Sequence, residues 1–282
     1  MCRPVWVRRF VSRLRHSPQG ALGVLLVALV LTATAVGPAL APHNPETFHP
    51  QHRLQGPMQG FWLGTDQFGR DLLSRILWGT RPTVLFGVAA TLLGTLLGTV
   101  VGVLSGYAGG WLDDLIMRVM DGMLAVPGLL FALLIITALG TGTLSALVAV
   151  GMAFTPGMAR VARSATLAVR TQDYVKAAVA RGERITYLVF REILPNVLAA
   201  MVVEGSIRIA FAVMLGASLS FLGVGAQPPS SDWGLMVSEG RAYMFRNPWV
   251  VVWPGLSIAV VSIAFNLFGD GLRDILNPRV TG

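Results

Sequence analysis

The stretch MARVARSATLAVRTQDYVKAAVARGERITYLVFREILPN, residues Met158–Asn196, lies between two apolar runs and decides how the chain is read. It carries Arg160, Arg163, Arg170, Lys176, Arg181, Arg184 and Arg191. A charge near the centre of a bilayer costs about 2.5–3.5 kcal/mol even on insertion scales, so no spanning segment tolerates this density. The stretch is expected to stand in water, on the side where positive loops are retained. A membrane protein whose largest ordered loop is cytoplasmic is built to meet something there.

The rest of the composition agrees with a polytopic membrane protein. Of 282 residues, 54% are hydrophobic and 13% charged, with a mean hydropathy of +0.64. The net charge of +8 follows from positive-inside loops, and no nucleic-acid partner is expected, because apolar spans separate the arginines. The single cysteine, Cys2, offers neither a disulfide nor a thiolate metal site.

A span needs roughly 20 apolar residues at 1.5 Å each. Six stretches qualify: Ala21–Ala41, Pro82–Gly106, Asp121–Leu139, Thr143–Ala162, Val197–Leu222 and Trp249–Gly269. In lipid such runs must be helices, since only then is the backbone satisfied internally. Pro127, Pro156 and Pro254 are expected to kink them. With the N-terminus inside, the inner segments hold 15 Lys and Arg against 6 in the outer ones, Arg208 falling within a span. Both termini are therefore expected in the cytoplasm of a bacterium, in a multi-pass inner-membrane protein. Ala39-Leu40-Ala41 imitates a signal-peptide cleavage site, but the apolar run before it exceeds a signal core, and the first helix is expected to be retained.

Two outer segments are expected. His43–Arg81 begins irregularly and ends in a short amphipathic helix, Asp71–Leu77, capped by Asp66 or Thr65. Its His43, His49 and His52 make a poor metal site, without cysteine or paired carboxylates. Gly223–Asn247, with Pro228, Pro229 and Trp233, forms the second excursion.

Within the basic loop, Tyr174–Arg181 reads as a short helix with Asp173 as cap, and Gly182 suits the left-handed residue that ends it. Glu183–Arg191 reads as a second short helix, with Ile185, Leu188 and Val189 on one face, and Pro195 interrupts before the fifth span. Such punctuation describes a rigid protrusion, with small Ala177 and Ala178 permitting close packing.

The order Lys176-Ala-Ala-x3-Gly182-x9-Glu192-Ile-Leu194-Pro195 resembles the EAA loop of bacterial ABC-importer permeases. Further strings extend the likeness over most of the chain: Leu63-Gly-Thr-Asp66-Gln-Phe-Gly69-Arg70-Asp71, Gly106-Tyr-Ala-Gly-Gly110-Trp111, Ser220-Phe-Leu-Gly-Val-Gly225, Gln227-Pro-Pro229 with Trp233-Gly234, and Phe265-Asn-Leu-Phe-Gly-Asp270-Gly-Leu-Arg273-Asp274. Together they are similar to the dipeptide/oligopeptide/nickel permease family, and to its C-type subunit. The resemblance implies an all-α type I ABC importer transmembrane domain over 82–270, with a coupling loop at 163–196, after a tail, first helix and outer loop at 1–81 and before a tail at 271–282. It also implies that Tyr174, Lys176, Ala177, Ala178, Gly182, Glu183, Leu194 and Pro195 contact a groove on a cytoplasmic ATPase. Two positions depart from the family: Lys176 stands where its leading Glu is expected, and Gly216 where relatives commonly carry another Glu.

The expected function is that of a transmembrane subunit of an ATP-driven importer for peptides or a related small solute. The chain contains no Gly-x4-Gly-Lys-Ser/Thr phosphate loop, so ATP and magnesium are expected on a separate ATPase and no cofactor or catalytic residue on this chain. The implied partners are a second permease chain in a heterodimer, one or two ATPase subunits, an extracytoplasmic binding protein and the bilayer. Glu204 and Arg208, one turn apart in the fifth span, either line a translocation path or form an internal ion pair. The rival class is an ion-gradient transporter or channel, which usually shows inverted repeats and midplane ion ligands. A membrane-embedded enzyme lacks support, since the spans hold no paired acid–base or nucleophile arrangement.

Overall fold

The computed structural model describes residues 18–276, and apart from two isolated β-bridges all regular structure among them is helical. The basic residues Arg3, Arg8, Arg9, Arg13, Arg15 and Arg279, with Cys2 and His16, lie outside the described residues. The principal helices are α1 (Pro18–Leu40), α2 (Leu72–Ala108), α3 (Gly110–Leu124), α4 (Gly128–Leu139), α5 (Thr143–Arg170), α6 (Asp173–Ala180), α7 (Ile185–Phe221), α8 (Trp233–Gly240) and α9 (Trp249–Leu276). Helices α1, α2, α5, α7 and α9 are long and apolar enough to cross a bilayer. At 37 residues each, α2 and α7 measure about 55 Å, well beyond a hydrocarbon core of about 30 Å. Their ends therefore build structure outside it.

Three expectations about helix boundaries are corrected. The third span, Asp121–Leu139, is not one helix: α3 and α4 meet at 95°, broken at residues 125–127. Pro127 cannot donate to the ladder, and the residue before a proline is driven out of the α region. Together α3 and α4 can count as one broken span, the sixth. The short helix Asp71–Leu77 is instead the first turns of α2, which runs through Pro82, and its cap is Asp71, not Asp66 or Thr65. Asp71 Oδ2 accepts from Ser74 N at 3.1 Å and Ser74 Oγ at 2.6 Å. Finally, Glu183–Arg191 is not separate from the fifth span. The chain is helical from Ile185 to Phe221, with a π-helical segment at Leu188–Ile193 in which Leu194 N reaches back to Val189 O. That wider register precedes Pro195, which lacks the N–H an α-helix would use there.

A seam of glycines holds α2 against α5. Gly94, Gly98, Gly102 and Gly106 recur every fourth residue and bring the two backbones together. A Cβ at Gly94 would stand 2.7 Å from Gly151 O, and one at Gly106 3.1 Å from Arg163 O. At Gly98 and Gly102 it would overlap Met158 and Ala159. Lipid is as apolar as leucine, so close backbone approach, rather than hydrophobic burial, joins spanning helices. Around this seam are three apolar clusters. One gathers Leu72, Val84, Val213, Trp233 and Phe265 near the loops. A second joins α4, α5 and α7 through Ala132, Ile136, Val150 and Leu219. The third, Val103, Met158, Ile193, Val197 and Met201, underlies the α6–α7 elbow.

Proline also creates a contact between helices. Pro38 in α1 leaves Thr34 O without its i+4 donor. Arg81 fills the gap from α2, donating from Nε to Thr34 O at 2.9 Å and from Nη2 to Ala35 O at 2.8 Å.

Candidate functional site

At the elbow end, Gln172 is the residue preceding α6, and Asp173 is its first helical residue, not the cap. The Asp173 carboxylate instead accepts from Lys176 Nζ at 3.3 Å, both side chains being exposed. Helix α6 closes with Gly182 N donating to Val179 O at 2.9 Å and Glu183 N to Ala178 O at 3.2 Å. Gly182 has φ +75°, the left-handed value expected of a helix-terminating glycine. One face of α6, Val175 and Ala178, is buried, while Tyr174, Lys176, Ala177 and Val179 face out. Of the two small residues, then, only Ala178 makes the close packing expected of both. The Tyr174 hydroxyl accepts from Asn196 Nδ2 at 3.0 Å and ties α6 to α7. Glu183 is half-buried with Arg181 Nε 3.6 Å away, Leu194 is half-buried, and Pro195 is exposed.

The elbow presents apolar groups to solvent: Val179 is 56% exposed, Ile185 63% and Phe190 65%. These three exposed apolar side chains follow one another along the end of α6 and the first turns of α7. Periodicity had singled out Ile185, Leu188 and Val189; Leu188 proves buried, and Phe190 is the exposed residue that pattern missed.

The first third of the basic stretch belongs to α5 rather than to a loop. Arg163 donates to Asp113 from Nε at 2.6 Å and from Nη2 at 2.5 Å, and Ser105 Oγ completes the carboxylate's shell. Arg170 Nη1 reaches Tyr107 O at 3.1 Å, and Arg160 Nη2 pairs with Asp121 Oδ1 at 2.5 Å on the exposed side. These residues clamp the elbow ends of α2, α3 and α5. Sequence carries no signal for such a clamp, because Asp113 and Arg163 lie 50 positions apart.

At the loop end, four charges share one buried site. Asp66 Oδ2 accepts from Arg70 Nε at 2.5 Å and Arg75 Nη1 at 2.8 Å. Glu239 Oε2, on α8, accepts from Arg70 Nη2 at 2.8 Å and from Arg75 Nη1 and Nη2 at 3.3 Å each. Asp66, Arg70 and Arg75 are each at most 5% exposed. The cluster joins the outer loop, α2 and α8, and the Asp66-x3-Arg70 spacing was its only visible trace. Nearby, Asp232 caps α8 by accepting from Leu235 N at 3.0 Å. Burial pushes its carboxyl above the ordinary carboxylate range, against hydrogen bonds from Leu235 N, Ser220, Thr83 and Gly234 N. His43, His49 and His52 ring the Phe61 side chain, with centroids 5.0–5.4 Å away.

In mid-span, Arg208 Nε and Nη2 both approach Glu204 Oε1 at 3.1 Å, and each side chain keeps under a third of its surface exposed. The two residues singled out as path or ion pair are thus paired with one another.

Residues 94–282 match the family described as binding-protein-dependent transport system inner membrane component. The chain belongs to this family. It is a multi-pass permease subunit, of a kind that works with a binding protein and an ATPase. The permease is 40% identical to the glutathione transport system permease protein GsiD of Pectobacterium atrosepticum, over 99% of this chain and 91% of that one. It is 38% identical to the probable D,D-dipeptide transport system permease protein DdpC of Escherichia coli, over 97% and 92%. With the dipeptide transport system permease protein DppC of Alkalihalophilus pseudofirmus it shares 36% identity over 97% and 90%. Its fold is that of the permease in inward-facing structures of the MetNI methionine ABC transporter, with TM-score 0.58 and 19% identity over 71% of this chain and 96% of that one.

Proposed function

We propose that the permease forms half of an ATP-driven import path for peptides, and that its elbow, Tyr174 to Pro195, docks on a separate ATPase. The observation that carries the coupling role is the exposure of three apolar side chains, Val179, Ile185 and Phe190, on the two sides of the Gly182 turn. Tyr174, Lys176, Ala177, Ala178, Gly182, Glu183, Leu194 and Pro195 shape that turn, and closure of the ATPase would be transmitted through α7, which leaves it without a break. The peptide assignment is supported by relatives that carry dipeptide and glutathione transport in their names. In this reading both termini and the elbow are cytoplasmic, ATP and magnesium stay on the ATPase, and a binding protein delivers solute at the loop end. A second, different permease chain covers the exposed apolar side chains of α3 and α4, among them Trp111, Leu115, Leu130 and Leu134.

Reconstitution of the complete complex in proteoliposomes tests this. Uptake of a dipeptide is expected to require ATP and to ignore a protonophore; the opposite pattern favours a gradient-driven carrier. Gly182→Trp sharpens the test, with Gly182→Ala as control: a Cβ there meets nothing within 4 Å, but at φ +75° either side chain strains the turn by about 1–2 kcal/mol, and only Trp adds bulk. The Gly182→Trp variant is expected to insert normally and to lose ATP-coupled uptake, and undiminished uptake would remove the docking assignment.

A further inference from the structure

We propose that Glu204 and Arg208 form a subsite for the two charged ends of a zwitterionic solute, the carboxylate for an ammonium and the guanidinium for a carboxylate. The proposal rests on the peptide reading above and assigns it the atoms that meet the peptide.

The ion pairs of this protein fall into two kinds. At the loop end and at the Asp113–Arg163 clamp the charges are largely buried and each makes two or more bonds, although Glu239 bonds only through Oε2 and Arg75 Nε has no partner. Asp113 spends both oxygens on Arg163, and Asp66 and Glu239 between them hold Arg70 and Arg75. Glu204 and Arg208 differ in standing at mid-span with no further ion pair among the described residues, both of their mutual contacts falling on the single oxygen Oε1. A carboxylate offers about four lone-pair positions and a guanidinium five donors, so most of the capacity of each group remains open. Oε2 of Glu204 and Nη1 of Arg208 take no hydrogen bond among the described residues. Arg208 stands 14 residues beyond Leu194 and 13 before Phe221, at a depth where unsatisfied charge is costly and marks a solute path by default.

The surroundings hold this pair without satisfying it. The Phe154 ring of α5 lies 5.6 Å from the Arg208 guanidinium, a contact that fixes the cation and uses none of its donors. Gly157, one turn along, makes room for it, since a Cβ there would stand 2.9 Å from Nη2. A turn farther along α5 toward the elbow comes the exposed Asp121–Arg160 pair. The paired head groups meet at 3.1 Å, whereas the ends of an extended dipeptide lie about 7 Å apart, so a bound zwitterion would take the unspent atoms Glu204 Oε2 and Arg208 Nη1 rather than come between the two groups.

The test uses the complete complex in proteoliposomes with ATP and three probes: alanyl-alanine, its N-acetyl derivative and its C-terminal amide, each saturating the binding protein. Glu204→Gln is expected to slow the two probes with a free ammonium by about tenfold, the effect of one lost charge-assisted hydrogen bond, and to spare the N-acetyl form. Arg208→Gln is expected to slow the two with a free carboxylate and to spare the amide. Glu204→Asp and Arg208→Lys, which keep the charges, should retain most of the transport. A uniform fall across all three probes, or none, overturns the subsite and leaves a structural pair. A wild-type complex that moves none of the three overturns the peptide reading itself, and the subsite with it.

Discussion

The two ends of this permease distribute charge in opposite ways, while both expose apolar side chains, Trp62 and Phe245 at the loop end among them. At the loop end, Asp66, Arg70 and Arg75 are buried with Glu239, inside a cap made by the outer loop, α2 and α8. At the elbow end the charges of Asp173 and Lys176 lie in solvent, and Val179, Ile185 and Phe190 are turned outward with them. A buried ionic cluster is tolerable only where its charges are matched, and at the loop end Asp66 and Glu239 balance Arg70 and Arg75 within the chain. An exposed apolar turn is unfinished until something covers it. On the proposed reading stability belongs to the loop end and coupling to the elbow, and substitution at each end should affect one and not the other.

The largest effect is expected from breaking the loop-end cluster. Asp66→Ala leaves Arg75 buried beside Arg70 with Glu239 alone to balance both, and removes the acceptor of the Phe68 and Arg70 amides. Losing one member of a buried ionic group costs about 3–5 kcal/mol. Denaturant unfolding of the purified protein in detergent should show that loss, and a change under 1 kcal/mol would mean that the cluster is looser than its geometry. Next comes the seam that connects the ends. Gly102→Val pushes a branched side chain against Ala159 O and the Ala162 side chain and is expected to cost about 1–3 kcal/mol, the usual range for overpacking. The same unfolding measurement checks it.

A smaller effect depends on pH. Because burial raises the Asp232 carboxyl, the folded protein holds that proton more tightly than the unfolded chain does. The stability it contributes is complete below the ordinary aspartate value of about 3.9 and is lost as pH rises through the raised folded value. Asp232→Asn should flatten the dependence of the unfolding midpoint over that rise, and a slope unchanged from wild type assigns it to another group.

The spans and the elbow could be read from sequence because their causes are local: apolar run length, the left-handed glycine at Gly182, and arginines that lipid will not admit. What was missed depends on partners distant in sequence. Asp71–Leu77 was expected to be a short helix separate from a span beginning at Pro82, yet one helix runs from Leu72 through that proline to Ala108. Pro195 looked like a break, and the π register before it removed the need for one. Pro127 was expected to kink a span and instead divides two helices at 95°. Glu239, Asp113 and Arg75 could not be assigned at all. Their roles are set chiefly by neighbours 50 to 169 residues away (Arg70, Ser230 and Arg163 among them), the short-range exceptions being Asp66 beside Arg75 and the Ser105–Asp113 contact made by the approach of α2 to α3.

The smallest stability change, and the sharpest separation of the two ends, is expected at Phe190. Its ring is 65% exposed, so Phe190→Asp removes little packing and should shift unfolding by no more than about 0.5 kcal/mol, as for other surface substitutions. If the elbow is a docking surface, the same variant places a charge where the partner expects an apolar contact, and an unpaired buried charge is strongly disfavoured in an interface. ATP-coupled uptake should then fall severalfold while insertion and unfolding stay as in the wild type. Asp66→Ala gives the opposite pattern, with stability reduced first and transport only in proportion to the folded fraction. Were Phe190→Asp to unfold the protein, or Asp66→Ala to abolish uptake in a fully folded population, the division of labour between the ends would not hold.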